Sequence, residues 1–164
     1  MVLITSHRRE SFGAGIEHIC AAIAELADTH PDHQWVYPVH PNPRIQQPVR
    51  AILSDRPNVH LLPPQPYAAF VWLMARCRWI LTDSGGIQEE APTLGKSVLL
   101  MRKTTERPEG LAAGVVTLVG TDRAGIVAAA NARIASTDVP PPAVNPFGDG
   151  HAAPRIVDAI LERA

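Results

Sequence analysis

A glycine pair between an apolar segment and a carboxylate is the part of this sequence whose residue types could most directly do chemistry. Gly85 and Gly86 follow the apolar run 79–81 and precede Glu90. Glycine lacks a Cβ, so the backbone can turn sharply and bring its N–H groups to an anion, which a helix N-terminus also attracts. Ser84 could add a hydroxyl donor, and Glu90, one helical turn beyond Gly86, could accept two ribose hydroxyls. This order predicts a site for the diphosphate of a nucleotide sugar.

Histidines follow two other predicted strands. His7 and its neighbours Arg8 and Arg9 could face a phosphate-bearing ligand, and a histidine can gain or lose a proton near neutral pH. A solvated polar loop is an equally good interpretation of these three residues. His40 follows the second strand, where an isolated histidine is more often a structural hydrogen-bonding group.

Other polar residues each allow two interpretations. The amide of Gln65 could meet the edge of a uracil with Phe70 packed beside it, although a proline-stiffened turn and a core aromatic would look the same. Arg107 could bind a diphosphate or pair with a carboxylate in an exposed loop. Asp83 could be a catalytic carboxylate, but an aspartate beside a Gly-Gly turn more often accepts hydrogen bonds from backbone N–H groups.

The composition indicates one globular domain over residues 1–164. The chain is 46% hydrophobic and 19% charged, and its net charge of -1 argues against nucleic acid or an anionic membrane as main partners. We predict no membrane span, because no apolar run reaches the roughly 20 residues required, and no signal peptide. Cys20 and Cys77 lack paired spacing, so buried reduced thiols in a cytoplasmic protein are expected. The histidines lack ligand spacing, so no metal site is predicted.

The pattern of elements predicts the fold that positions these residues. Apolar segments alternate with amphipathic ones, which is typical of an α/β fold with a Rossmann-like, doubly wound parallel sheet and helices on both faces. The predicted strands are 2–5, 34–39, 58–62, 79–82, 97–101 and 115–119. The predicted helices are 14–28, 44–53, 67–75, 87–94, 109–113, 123–136 and, beyond a proline-rich connector at 137–144, 152–163. Ligands bind outside the carboxyl ends of such strands, where every polar group above is expected.

Four segments, in this order, closely resemble the bacterial non-hydrolysing UDP-N-acetylglucosamine (UDP-GlcNAc) 2-epimerases. The segments are Thr-Ser-His-Arg-Arg-Glu at 5–10, Tyr-Pro-Val-His-Pro-Asn-Pro at 37–43, Asp-Ser-Gly-Gly-Ile-Gln-Glu-Glu-Ala-Pro at 83–92 and Thr-Thr-Glu-Arg-Pro-Glu at 104–109. Residues 145–150 resemble a fifth family motif, with Phe147 in place of tyrosine. Ser6 and Ser11 depart from the family's usual glycine and asparagine, which could alter the conformation of that loop.

The resemblance implies a glycosyltransferase-B-type fold of two Rossmann-like domains, of which this chain would be the C-terminal one, with the N-terminal domain absent. The family interconverts UDP-GlcNAc and UDP-N-acetylmannosamine by eliminating UDP and re-adding it with the opposite configuration at C2. No external cofactor is needed. The expected partners are UDP-GlcNAc, UDP and a complementary N-terminal domain, and a homodimer is also expected because the family tends to dimerise.

The resemblance also implies roles for individual residues. Gln65 and Phe70 would meet the uracil, and Glu90 the ribose. Ser84, Gly85, Gly86 and Arg107 would bind the diphosphate. His7 would assist departure of the leaving group. Arg8, Glu10 and His40 match positions that, in some bacterial members, hold a second UDP-GlcNAc molecule as an allosteric activator.

The predicted function follows from what this half would lack. In the family, the carboxylates that move the C2 proton come from the N-terminal domain, so we expect the chain alone to bind UDP weakly and to have negligible epimerase activity. A stand-alone regulatory module that binds a UDP-sugar is the alternative. A glycosyltransferase half is a third hypothesis, which the motifs at 7–10 and 105–109 disfavour.

Overall fold

The computed structural model of the chain describes residues 1–9, 12–136 and 145–162. Its strands are β1 (Val2–Thr5), β2 (Trp35–Pro38), β3 (Val59–Leu62), β4 (Ile80–Thr82), β5 (Val98–Leu100) and β6 (Val116–Leu118). Its helices are α1 (Ala14–Thr29), α2 (Pro43–Leu53), α3 (Tyr67–Arg76), α4 (Gly85–Thr93), α5 (Pro108–Ala112), α6 (Arg123–Ala135) and α7 (Ala152–Leu161). Each predicted strand and helix is present in the predicted order, with bounds that differ by at most two residues.

The strands form one parallel sheet in the order β3-β2-β1-β4-β5-β6. Thr5 of β1 lies opposite Thr82 of β4, and the chain winds outward in both directions from this central pair. Loops that leave β1 and β4 therefore diverge to opposite sides and open a crevice at their carboxyl ends, which is where such sheets bind ligands. The predicted doubly wound sheet is confirmed.

Helices cover both faces of the sheet because alternate strand residues point to opposite sides. Ile4 and Leu81 face a core built with α1, α2 and α6. Leu3 and Ile80 face a second core built with α3 and α4. Full burial of one such side chain stabilises the fold by about 1.5–3 kcal/mol. Because β1 and β4 each bury side chains in both cores, their carboxyl ends are held in place from both faces of the sheet.

The start of α4 differs from its prediction. The helix begins at Gly85 rather than at residue 87, with Ser84 as its N-cap, so both glycines lie in the first helical turn. Neither glycine has a positive φ. The backbone conformation therefore does not require glycine at these two positions. The groups that approach the backbone there matter instead.

The C-terminal segment returns to the α4 and α5 side of the sheet. The side-chain amide of Asn145 donates to Thr93 Oγ1 at 2.8 Å, which anchors the loop before α7. All ten residues of α7 are exposed. The predicted connector at 137–144 and the last predicted helical residue, Arg163, lie outside the described residues. No helix in the described ranges is long and apolar enough to cross a membrane.

The two cysteines are free and buried, as predicted. Burial raises the pKa of Cys20 to about 12 and that of Cys77 to about 11. Both thiols therefore stay protonated near neutral pH and act as small apolar side chains in the core.

Candidate functional site

The polar residues predicted to act together follow five neighbouring strands at the carboxyl edge of the sheet. They are His7 and Arg8 after β1, His40 after β2, Gln65 after β3, residues 84–90 after β4 and Arg107 after β5. Parallel strands bring their carboxyl ends to one edge, so residues up to 100 positions apart meet there. The predicted clustering of these segments is confirmed, although the roles of the individual residues stay predictions.

The first turn of α4 provides the anion-attracting end of a helix. Backbone N–H groups in a first helical turn have no partner within the helix, and the helix dipole places roughly +0.5 charge there. The N-cap Ser84 is held in place because its own N–H donates to Thr82 Oγ1 at 2.9 Å. Gly86, at the second helical position, is exposed. A negatively charged group can reach the backbone at this point.

Two arginines lie over Gly85, where a side chain would displace their guanidinium groups. A Cβ built on Gly85 would stand 2.9 Å from Arg107 Nη1 and 2.9 Å from Arg8 Nη2, closer than real Cβ contacts allow. The two guanidiniums thus add their charge to that of the helix end. Planar guanidiniums can bind phosphate oxygens in pairs, so the two arginines and the helix end together make this a candidate site for an anion.

Carboxylates pair with these arginines. Glu106 accepts hydrogen bonds from Arg102 Nη1 and Arg107 Nη1, each at 2.7 Å, and lies 3.6 Å from Arg8 Nη2. Arg107 Nε donates to Glu89. The backbone N–H of Glu106 itself, followed by Arg102, lowers the pKa of the Glu106 carboxyl to about 2. Any anion that binds these guanidiniums would therefore compete with Glu106 and Glu89 for them.

Glu90 lies beside the same helical turn, as predicted. A Cβ built on Gly86 would be 3.4 Å from Glu90 Oε1, which places this carboxylate at the edge of the anion site. The hydroxyl of Tyr67 donates to Glu90 Oε2 at 3.0 Å, and this hydrogen bond is the main reason that the pKa of Tyr67 is raised. Tyr67 was not among the residues predicted for the site. Its only signal was a hydroxyl-bearing aromatic at the start of a predicted helix.

A small open cavity joins the remaining predicted residues. Its volume is about 160 Å³, and its lining includes His7, His40, Gln65 and Phe70. The rings of His7 and His40 stack with centroids 5.9 Å apart, and the Gln65 amide donates to the carbonyl of Pro63 at 2.7 Å. The cavity therefore connects the candidate base-binding residues to the histidine that follows β1.

Asp83 connects β4 to the loop that follows β1. Its fully buried carboxylate accepts hydrogen bonds from Ser6 Oγ at 2.8 Å and from the backbone N–H groups of His7 and Arg8 at 3.0 Å each. His7 Nδ1 lies 3.3 Å from Asp83 Oδ1. The prediction that Asp83 holds backbone N–H groups is confirmed. However, the groups belong to a loop about 75 residues away and not to the glycine pair.

Comparison with known proteins decides the family. The family model described as UDP-N-acetylglucosamine 2-epimerase matches residues 1–161. This chain belongs to the UDP-N-acetylglucosamine 2-epimerase family. It is 55% identical to the UDP-N-acetylglucosamine 2-epimerase of Escherichia coli K12 over 163 residues, which are 98% of this chain and 43% of that protein. The chain thus spans less than half the length of this epimerase.

Solved epimerase structures share its fold. UDP-GlcNAc 2-epimerase from Neisseria meningitidis, crystallised bound to UDP-GlcNAc, is 46% identical with a TM-score of 0.94, over 98% of this chain and 44% of that one. The epimerase of Methanocaldococcus jannaschii, in complex with UDP-GlcNAc and UDP, is 28% identical with a TM-score of 0.83, over 98% of this chain and 45% of that one. The match to epimerases of the glycosyltransferase-B type confirms the predicted fold class.

Of the three residues predicted to hold a second ligand, the structure describes Arg8 and His40. Arg8 lies with Arg107 over Gly85, and His40 lies against His7, so both border the candidate site for the first ligand. Glu10 lies outside the described residues. Within those residues there is no group of three or more His, Cys, Asp or Glu side chains placed to hold a metal ion.

Proposed function

We propose that this chain is the UDP-binding part of an epimerase that interconverts UDP-GlcNAc and UDP-N-acetylmannosamine by eliminating and re-adding UDP. The observation that carries this proposal is the arrangement at α4, where Arg8 and Arg107 lie over the Gly85 backbone and Glu90 lies one turn further along. UDP joins a diphosphate to a ribose, so an anion-attracting helix end beside a carboxylate that can accept hydroxyls suits both parts of it. Two related epimerases are known in complex with UDP-GlcNAc, which supports the assignment.

Each part of UDP has candidate contacts at this edge. Ser84, Gly85, Gly86 and Arg107 would bind the diphosphate through N–H groups and charge, and Glu90 would accept the ribose hydroxyls. Gln65 and Phe70, which line the adjoining cavity, would meet the uracil. His7, in the same cavity, would face the bond that breaks between the sugar and the diphosphate.

A second UDP-GlcNAc would lie against the first, held by Arg8, Glu10 and His40. Arg8 reaches Gly85, so a guanidinium in this position could contact both molecules and transmit the presence of one to the other. The family resemblance and the position of Arg8 over Gly85 both support this role. Dimerisation and a cytoplasmic location stay predictions.

We propose that the chain alone does not epimerise its substrate. Moving a proton from one face of C2 to the other needs carboxylates that are available as acid and base. Four carboxylates at this edge already have partners: Glu89 and Glu106 pair with arginines, Glu90 accepts from Tyr67, and Asp83 is buried under a loop. The missing acid and base would come from a complementary N-terminal domain. This fits the comparison, in which this chain covers only 43% of the length of the E. coli relative.

The test is to assay the chain alone and after mixing with the separately produced N-terminal domain of the E. coli relative. Conversion of UDP-GlcNAc to UDP-N-acetylmannosamine is followed by proton NMR of the sugar. We expect no turnover alone and turnover in the mixture. Enzyme-like turnover by the chain alone would show that it carries its own acid and base. Binding of UDP-GlcNAc without turnover in the mixture would favour a stand-alone regulatory module.

A further inference from the structure

Asp83 makes one contact that a purely structural carboxylate does not need. A buried carboxylate is costly unless donors surround it, and Ser6 together with two backbone N–H groups meets that requirement. The imidazole of His7 is a further neighbour, with Nδ1 at 3.3 Å. The other side of this ring is not enclosed, since 40% of the His7 side chain is exposed.

We propose that Asp83 is a positioning residue that fixes the tautomer and orientation of His7. A neutral imidazole carries its proton on one of two nitrogens, and the neighbouring negative charge favours the proton on Nδ1 over a lone pair there. Nδ1 then stays protonated toward Asp83, and Nε2 is left for the open side. This inference rests on the proposed function, in which that open side faces the diphosphate and sugar.

The surroundings of the ring support a fixed orientation. Asp83 accepts hydrogen bonds from the backbone N–H groups of His7 and Arg8. The carboxylate that faces the imidazole therefore also holds the backbone segment that carries this ring. His40 stacks on the ring at an interplanar angle of 24°. One carboxylate thus aligns His7 and also holds the backbone of Arg8, the arginine whose side chain reaches Gly85.

The experiment determines the His7 tautomer in the ligand-free chain. Two-bond proton–nitrogen NMR spectra of the 15N-labelled chain distinguish the two neutral tautomers from each other and from the doubly protonated ring. A His7→Gln variant assigns the His7 signals. We expect the Nδ1-protonated tautomer in the wild type and a shift toward the Nε2-protonated tautomer in Asp83→Asn.

Ser6→Ala is the matched control. It removes one hydrogen bond to Asp83 while leaving the carboxylate beside Nδ1, so the tautomer should not change. An Nε2-protonated wild type would overturn the proposal, and so would an Asp83→Asn spectrum identical to that of the wild type. If Asp83→Asn does not fold, the wild-type tautomer decides alone, because the proposal requires the Nδ1-protonated form.

A UDP titration of the same samples separates this inference from the proposed function. We expect folded Asp83→Asn to bind UDP about tenfold more weakly than Ser6→Ala, since it loses contacts to a charged group. Wild-type affinity in Asp83→Asn would contradict a role in the site. Absence of UDP binding by a wild type with the Nδ1-protonated tautomer would instead refute the proposed function, while the Asp83 and His7 geometry would stand.

Discussion

Arg107 occupies the space that a side chain at position 85 would need: a Cβ on Gly85 would stand 2.9 Å from its Nη1 atom. Arg8 approaches the same point from the loop after β1. Two like charges converge there because Glu106 lies near both guanidiniums. This gathering of cations at a helix N-terminus is the arrangement from which we propose that the chain binds a diphosphate.

Gly85→Ala should weaken UDP binding with little loss of stability. The added methyl displaces two flexible guanidinium ends rather than backbone, and alanine favours the helix more than glycine does. We expect at least about tenfold weaker binding, measured by calorimetry, with a melting temperature within a few degrees of the wild type. Unchanged affinity would mean that these guanidiniums do not contact the ligand.

Gly110→Ala should show the opposite pattern. A Cβ there would lie 2.8 Å from Val116 Cγ2 and 3.4 Å from Phe147 Cζ, so the methyl overpacks the contact between α5 and β6. We expect a loss of about 1–3 kcal/mol in the free energy of unfolding by urea. UDP affinity of the folded protein should not change. A stable Gly110→Ala variant that fails to bind UDP would contradict this assignment.

Arg107→Ala should weaken the binding of both UDP and inorganic pyrophosphate by about 10- to 100-fold, because it removes charge-assisted hydrogen bonds to the phosphates. Calorimetric titration of the two ligands measures this effect. Arg123→Ala is the control, since Arg123 pairs with Glu25 at 2.6 Å, between α6 and α1 and away from the site. Equal losses in the two variants would point to a general charge effect instead.

Glu90→Ala should abolish discrimination between UDP and 2′-deoxy-UDP. If the carboxylate accepts ribose hydroxyls, the wild type should favour UDP by roughly tenfold, and the variant should bind both ligands equally weakly. Tyr67→Phe removes only the hydroxyl that donates to Glu90 and should keep the preference. A preference that survives in Glu90→Ala would place the ribose elsewhere.

Glu106 should contribute to stability in a pH-dependent way. Its pKa falls from 4.5 to about 2 in the folded chain, so its stabilising contribution is present above about pH 4.5 and is lost as the pH falls toward 2. Glu106→Gln should therefore lose less stability than the wild type between about pH 6 and pH 3, measured by urea unfolding. The effect will be small because the carboxylate is half exposed. Parallel losses in both proteins would refute it.

The fold was predictable because its signals are local. The apolar stripe of α1, with Ile16, Ile19 and Ile23, is visible in the sequence and is buried in the structure. The order of alternating elements then implies a parallel sheet, and the carboxyl edge follows from that sheet. Element ends were less predictable, as at α4, because glycine is permissive enough to lie in a turn or in the first turn of a helix.

The contacts within the site were not predictable, since they join residues distant in the chain. Neither the 3.3 Å approach of His7 to Asp83 nor the hydrogen bond from Tyr67 to Glu90 leaves a pattern in the sequence. The position of Arg8 after β1 indicated a phosphate-bearing ligand and the family resemblance a second ligand, but neither predicted that its side chain would reach Gly85. Such contacts depend on the register of strands and the direction of loops.

Calorimetric titration of UDP into this chain, with the Arg107→Ala and Glu90→Ala variants beside it, tests the central claim most directly. The arrangement at α4 predicts saturable binding of one UDP per chain by the wild type and markedly weaker binding by both variants. No detectable binding by a folded wild type, or binding that neither variant weakens, would contradict the claim that this edge of the sheet is a preformed UDP site.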